Sequence, residues 1–321
     1  MGRRELGPAT LAAVQAVDAA LNQQDVQLVT ACSGGADSLA LAFAARYAAS
    51  RRDLKYAAVI IDHGLQQGSA DIAARVRDQL DQLGYSDVII TAVQVDQSAA
   101  VGPEAAAREA RYRALDTEAR ARSATVLLGH TRDDQAETVL LGLARGSGSR
   151  SLAGMPSRAG HFVRPFLRIR RATTEQACAE LGLDPWQDPH NADRRFTRVR
   201  VRETVLPTLE AELGPGVAEA LARTADLVRD DNELLDRLAV EASHTEGLGG
   251  TDTLDCAALE AQPPALRRRI IRLWLLTHGL GDLSLRHISA VESLVIDWHG
   301  QKAIQIPGAT VTRTAGRLRV S

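Results

Sequence analysis

The chain has 321 residues, 45% of them apolar and 24% charged, which suffices for one large and one small domain that fold by core burial alone. A formal net charge of −2 argues against a protein that coats nucleic acid nonspecifically, and no apolar run reaches the length of a membrane helix. The N-terminal stretch carries Asp18 and lacks a signal-peptide core, and Cys32, Cys178 and Cys256 are too far apart for a disulfide framework or a C-x-x-C site, so the sequence reads as cytoplasmic.

In chain order, Val26, Leu28 and Val29 form a short buried strand, and Leu39, Leu41 and Phe43 begin an apolar helix face. The loop between them opens a helix. An apolar run from Tyr56 to Ile61 stops at Asp62, a helical segment ends at Gly84, and a strand-like stretch follows over 87–95. Pro103 suits the first turn of the next helix, and a further apolar run ends at His130. Apolar runs alternating with amphipathic helices predict an α/β fold, a parallel sheet with helices on both faces. Ligands gather beyond the carboxyl ends of such strands, where Ser33, Asp62 and His130 all fall. From Asp188 the pattern changes to a loop and a helix broken by Pro207. A long helical segment and a glycine-rich stretch over 245–253 then lead to a small, mostly helical C-terminal domain that ends in short strands around Pro307-Gly308 and Ala315-Gly316. The domain boundaries read as 1–205, a helical linker over 206–245, and 246–321.

The loop Ser33-Gly34-Gly35-Ala36-Asp37-Ser38 is placed like a phosphate site: a helix start presents unpaired N–H groups, and paired glycines let an anion approach the backbone. It lacks the lysine of the usual phosphate loop. A carboxylate such as Asp37 facing phosphates calls for a cation between them, and Mg²⁺ suits it; the alternative is an ordinary first-turn helix charge. Asp134 and Glu137 face one side of a helix near its start. They read equally as a functional pair or, with Thr131, as a capping box. Arginine clusters at 164–171, 194–202 and 267–272 suit phosphate oxygens as groups, although each arginine alone reads as solvated surface. His63 and His130 are ligand contacts or loop hydrogen-bonders. Trp186, Trp274 and Trp298 read better as core packing than as base stackers.

The SGGADS loop, "DHGL" at Asp62, "EAAAREARY" at Glu104, "HTRDDQAET" at His130, "RGSG" at Arg145, "RPFL" at Arg164 and "NADRRFTRVRVR" from Asn191 together resemble the tRNA(Ile)-lysidine synthetases, N-type ATP pyrophosphatases of the PP-loop superfamily. Thr131 departs from the second histidine that members often carry, and the single small C-terminal domain is like that of the shorter members. The resemblance implies a ligase using ATP and Mg²⁺. It joins L-lysine to C2 of the wobble cytidine of tRNA(Ile) with a CAU anticodon, through an adenylated cytidine. It implies catalytic roles for Asp37, Arg108, Asp134 and Glu137, the metal on Asp37, and nucleotide contacts from Ser33, Gly34, Gly35, Ala36, Asp37, Ser38, Asp62, His63, Gly129 and His130. Taken alone, Arg108 reads equally as an exposed helix arginine. A homodimer is the candidate assembly. The competing reading is a PP-loop tRNA sulfurtransferase, for which Cys32 is the candidate cysteine; an amidotransferase-type synthetase and a noncatalytic tRNA-binding protein are further alternatives.

Overall fold

The computed structural model describes residues 6–62, 64, 68–93, 103–146, 148–245, 252–281 and 283–321. Two compact units divide the chain, Met1–Leu140 with Met155–Ala222 and Leu141–Gly154 with Arg223–Ser321. The chain begins α1 (Pro8–Ala20), β1 (Gln27–Ala31), α2 (Ala36–Arg52), β2 (Lys55–Asp62), α3 (Ser69–Gln82), β3 (Val88–Ala92), α4 (Pro103–Arg122), β4 (Thr125–Leu127) and α5 (Arg132–Ala144). There follow α6 (Ser149–Leu152), β5 (Arg158–Ala159), β6 (Phe162–Val163), α7 (Arg171–Leu181), α8 (Thr197–Arg200) and α9 (Leu206–Leu213). The last part comprises α10 (Val217–Thr245), β7 (Thr253–Asp255), α11 (Cys256–Glu260), α12 (Pro264–Thr277), α13 (Leu285–Ile296), β8 (Ile304–Ile306), β9 (Ala309–Thr314) and β10 (Arg317–Val320).

The first unit is built on a sheet of order β3-β2-β1-β4-β6-β5. Every pairing in it is parallel except β5 with β6. Successive side chains on a strand point to opposite faces, and both faces are covered. Leu28, Ala58, Ile60 and Leu127 enter a core with Leu39 and Leu41 of α2 and Ala177 of α7. Val29, Ala57, Val59 and Val126 enter a second core with Leu115 and Ala119 of α4. This two-sided burial is why the strands read as continuous apolar runs rather than alternating ones.

The expected break at Pro207 takes a different form. Proline has no N–H to offer a helix interior, yet the chain stays helical. A π turn over Val201–Val205 links α8 to α9, and Pro207 falls in the first turn of α9.

The second unit carries an antiparallel sheet of order β7-β10-β9-β8 packed with α11 to α13. Its tight turns sit at Ala315-Gly316, where both residues have positive φ as a type I′ turn requires, and at Pro307-Gly308, where only Gly308 does, the type II pattern. Strand β7 was not anticipated, being three residues long. The glycine-rich stretch expected as a boundary lies, over 246–251, outside the described residues. Trp274 is buried in this unit's core, whereas Trp298 is exposed.

Candidate active site at the carboxyl ends of the parallel strands

Strand β1 delivers the glycine loop. Cys32 N–H still pairs with the Val59 carbonyl at 2.9 Å, after which the chain turns through Ser33, Gly34 and Gly35 into α2. Gly34 has φ +85°, and a Cβ there would lie 2.4 Å from Val76 Cγ2, so both backbone and space demand glycine. Gly35 caps α2 without a side chain. Ser38 braces the loop: its hydroxyl donates to the Gly35 carbonyl at 2.9 Å and accepts from Ser33 N–H at 3.2 Å. Ser33 itself is exposed. The result is a rigid, glycine-lined helix start, the geometry that receives phosphate.

Strand β4 brings a second helix start to the same edge. A Cβ on Gly129 would stand 3.1 Å from the Asp37 carbonyl oxygen, so the absent side chain lets the β4 exit pass tightly over the first turn of α2. The capping reading of Asp134 is realised: one carboxylate oxygen accepts Thr131 N–H at 2.8 Å and the Thr131 hydroxyl at 3.1 Å. That leaves its other oxygen for Arg171, whose NH2 lies 2.9 Å away. Arg171 also approaches Asp37 at 3.5 Å through Nε, and the Thr174 hydroxyl donates to the remaining Asp37 oxygen. Glu137, fully buried, accepts from Arg198 Nε at 2.9 Å and from Arg202 Nε at 2.6 Å, with Arg171 at 3.7 Å.

Three acids therefore meet three arginines. Burial pushes the Asp37 carboxyl up to about 6, with the negative charge of Asp134 adding to the effect and Thr174 and Arg171 opposing it. Burial is the strongest single effect on Asp134 and acts in the same sense, but Arg171, Arg198 and the Thr131 N–H hydrogen bond together hold it below the usual carboxylate range.

Beside them lies a cationic basin. His130 follows β4, and its Nδ1 is buried with no partner among the described residues. Burial chiefly, with Arg111, Arg164 and Arg108 nearby, holds its imidazole well below the ordinary range, hence neutral at pH 7. Arg108 and Arg111 lie over the Tyr112 ring at 5.2 and 5.7 Å, and Arg164 NH2 donates to the Tyr112 hydroxyl at 3.2 Å. Arg108 is exposed, whereas the Nε atoms of Arg111 and Arg164 are buried without partners among the described residues. These orphaned donors are what an anion entering the site would satisfy.

The remaining expected residues divide. Asp62, at the end of β2, accepts Gly64 N–H at 2.9 Å, and His63 lies outside the described residues. Sequence reasoning missed Arg111, Arg164, Arg171, Thr174, Arg198 and Arg202 as parts of one site. Taken singly each clustered arginine reads as solvated surface and together they suit phosphate, but Arg171, Arg198 and Arg202 turn onto Asp134 and Glu137. The signal in the sequence was the spacing of Arg198 and Arg202, four apart and so on one face of a helix. For Mg²⁺ the fit is of the partial kind that ion accepts: one carboxylate, Asp37, in an electronegative pair with Asp134, the other ligands being substrate phosphate oxygens and water. Among the described residues no group of three His, Cys, Asp or Glu forms an all-protein cage.

Residues 9–209 match the PP-loop domain family and residues 254–319 the TilS substrate binding domain. The tRNA(Ile)-lysidine synthase of Leifsonia xyli subsp. xyli is 53% identical over 290 residues, which cover 89% of this chain and 87% of that protein. The synthase of Thermobifida fusca is 51% identical, covering 88% and 87%, and that of Cutibacterium acnes 46% identical, covering 99% and 98%. Among solved structures, the U34-tRNA thiolase NcsA from Methanococcus maripaludis with its 4Fe-4S cluster superposes with a TM-score of 0.56 at 16% identity, over 69% of this chain and 80% of that one. That likeness is one of fold alone.

Proposed function

The chain belongs to the tRNA(Ile)-lysidine synthase family, and on that premise we propose that it joins L-lysine to C2 of the wobble cytidine of tRNA(Ile) bearing a CAU anticodon, consuming ATP. The observation that carries the reading is Arg171, which ties the Asp37 carboxylate of the glycine loop to the Asp134 carboxylate of the next strand end. One site thus unites a phosphate loop with acids suited to an amino acid's ammonium groups.

The cytidine O2 attacks the α-phosphorus of ATP, pyrophosphate leaves, and the ε-amine of lysine then attacks C2 as AMP departs with the oxygen. The loop from Ser33 to Ser38 receives the phosphates, and Asp37 would hold Mg²⁺, whose charge would offset theirs. Arg108, Arg111 and Arg164 face the anionic groups from the other side, while Gly129, His130 and Asp62 line the nucleotide's end of the site. Asp134 and Glu137 position lysine, whose ammonium takes over from a guanidinium now held there. Presenting that amine neutral at pH 7 requires about 4–5 kcal/mol, given its unperturbed pKa near 10.4. The cationic basin opposes a second positive charge and lowers that requirement.

Catalysis is assigned to residues 1–205, with 206–245 leading to an RNA-contacting part over 246–321, in a cytoplasmic homodimer. Among the described residues no helix is long and apolar enough to cross a membrane. The test follows labelled AMP onto the tRNA without lysine, then its release on adding lysine. Mass spectrometry of the nucleoside must show cytidine joined to lysine; a thionucleoside would overturn the reading.

A further inference from the structure

The second unit holds an arginine cluster that the reaction above does not use. On α12, Arg267 and Arg268 are occupied by buried Glu292, at 2.8 and 2.6 Å. Arg269 instead reaches Asp236 of α10 at 3.1 Å through Nε and Asn232 Oδ1 at 2.6 Å through NH2. Arg150 of α6 lies 2.7 and 2.8 Å from the two oxygens of the same Asp236, and the Ser149 hydroxyl donates to Asn232 Oδ1 at 2.9 Å. Arg272, the next α12 residue on that side, has no carboxylate within ion-pair distance among the described residues and donates to the Leu283 carbonyl at 2.6 Å. Burial, with Arg150 close by, holds its guanidinium below the ordinary range.

Two guanidinia therefore share one carboxylate, and a third beside them has none within ion-pair distance among the described residues. A carboxylate accepts two guanidinia, as Glu292 does, so the third guanidinium leaves surplus positive charge that raises the energy of the unliganded cluster. Asn232 is only 6% exposed, and its amide nitrogen has no partner among the described residues. The cluster is thus short of acceptors, which a phosphate oxygen would supply, and arginine forks match phosphate geometry. We infer that Arg150, Arg269 and Arg272 form a seat for a backbone phosphate of the RNA substrate. The inference rests on the proposal that tRNA is that substrate. It also gives a role to the segment 149–152, which belongs to the second unit although it falls within the PP-loop domain match.

The experiment measures tRNA affinity against salt concentration for the full-length chain, R150Q and D236N, with ATP affinity and melting temperature beside it. R150Q should weaken tRNA binding and flatten the log–log salt slope by about 0.7–0.9, the loss of one phosphate contact, with ATP affinity unchanged. D236N removes the carboxylate that Arg150 and Arg269 share and should tighten tRNA binding even as it lowers the melting temperature, the opposite of what a purely structural cluster predicts. An unchanged slope in R150Q, or weaker tRNA binding in D236N, overturns the seat. The salt slopes are read without turnover, so a wild-type chain that binds tRNA but makes no lysidine would remove the proposed reaction and leave this inference standing.

Discussion

Arg202 Nε sits 2.6 Å from a carboxylate oxygen of Glu137, a side chain with no exposed surface. The carboxylate expected to meet a substrate ammonium is thus already neutralised from within the chain, by Arg202 and by Arg198 from one turn earlier. Lysine can reach it only in exchange for a guanidinium.

Glu137→Gln removes the charge that two close arginines share. Leaving partly buried cations unpaired should lower stability by about 3 kcal/mol, read as a fall in melting temperature. Lysine saturation should suffer more than adenylate formation in the fraction that stays folded. Equal loss in both steps would return Glu137 to a purely structural role.

Asp37 titrates in the wrong direction for stability. Its folded pKa of about 6 lies above the ordinary aspartate value of 3.8, so the native state keeps the proton longer than the unfolded chain. The stability this supplies is complete below about pH 4 and lost as pH rises through about 6, a change on the order of 2–3 kcal/mol. Asp37→Asn should therefore flatten the melting temperature between pH 4.5 and 7.5 relative to wild type while abolishing tRNA adenylation. Adenylation near the wild-type rate would remove Asp37 from the mechanism.

Gly34→Ala faces two penalties, the left-handed backbone, about 1–2 kcal/mol, and the 2.4 Å approach to Val76. Adding Val76→Ala relieves only the second. ATP binding, followed by calorimetry, should be lost in the single variant and only partly restored in the double. Full restoration would show that space rather than backbone geometry selects glycine here.

Cys32 is buried, and that burial pushes its thiol above the ordinary range, away from a reactive thiolate. Cys32→Ser should leave lysine transfer largely intact. Loss of turnover in a folded variant would favour the sulfur-transfer reading.

The two-sided parallel sheet was legible in the sequence because burial on both faces writes itself as runs such as Tyr56–Ile61, and the phosphate loop was legible because Gly34 and Gly35 answer a local backbone demand. Residues 171–202 were not. Arg171, Thr174, Arg198 and Arg202 lie between 34 and 137 positions from the acids they meet, and no local periodicity records a pairing over that distance. An arginine on a helix reads the same whether it faces water or a buried carboxylate. What the sequence by itself determined was the main strands and helices of the parallel sheet and the loop that opens α2, since these follow from interactions within a few residues. Which arginines face inward was decided only by the tertiary structure, where α7 and the π turn at Val201–Val205 carry them against Asp37, Asp134 and Glu137. A buried charge must find its partner in space.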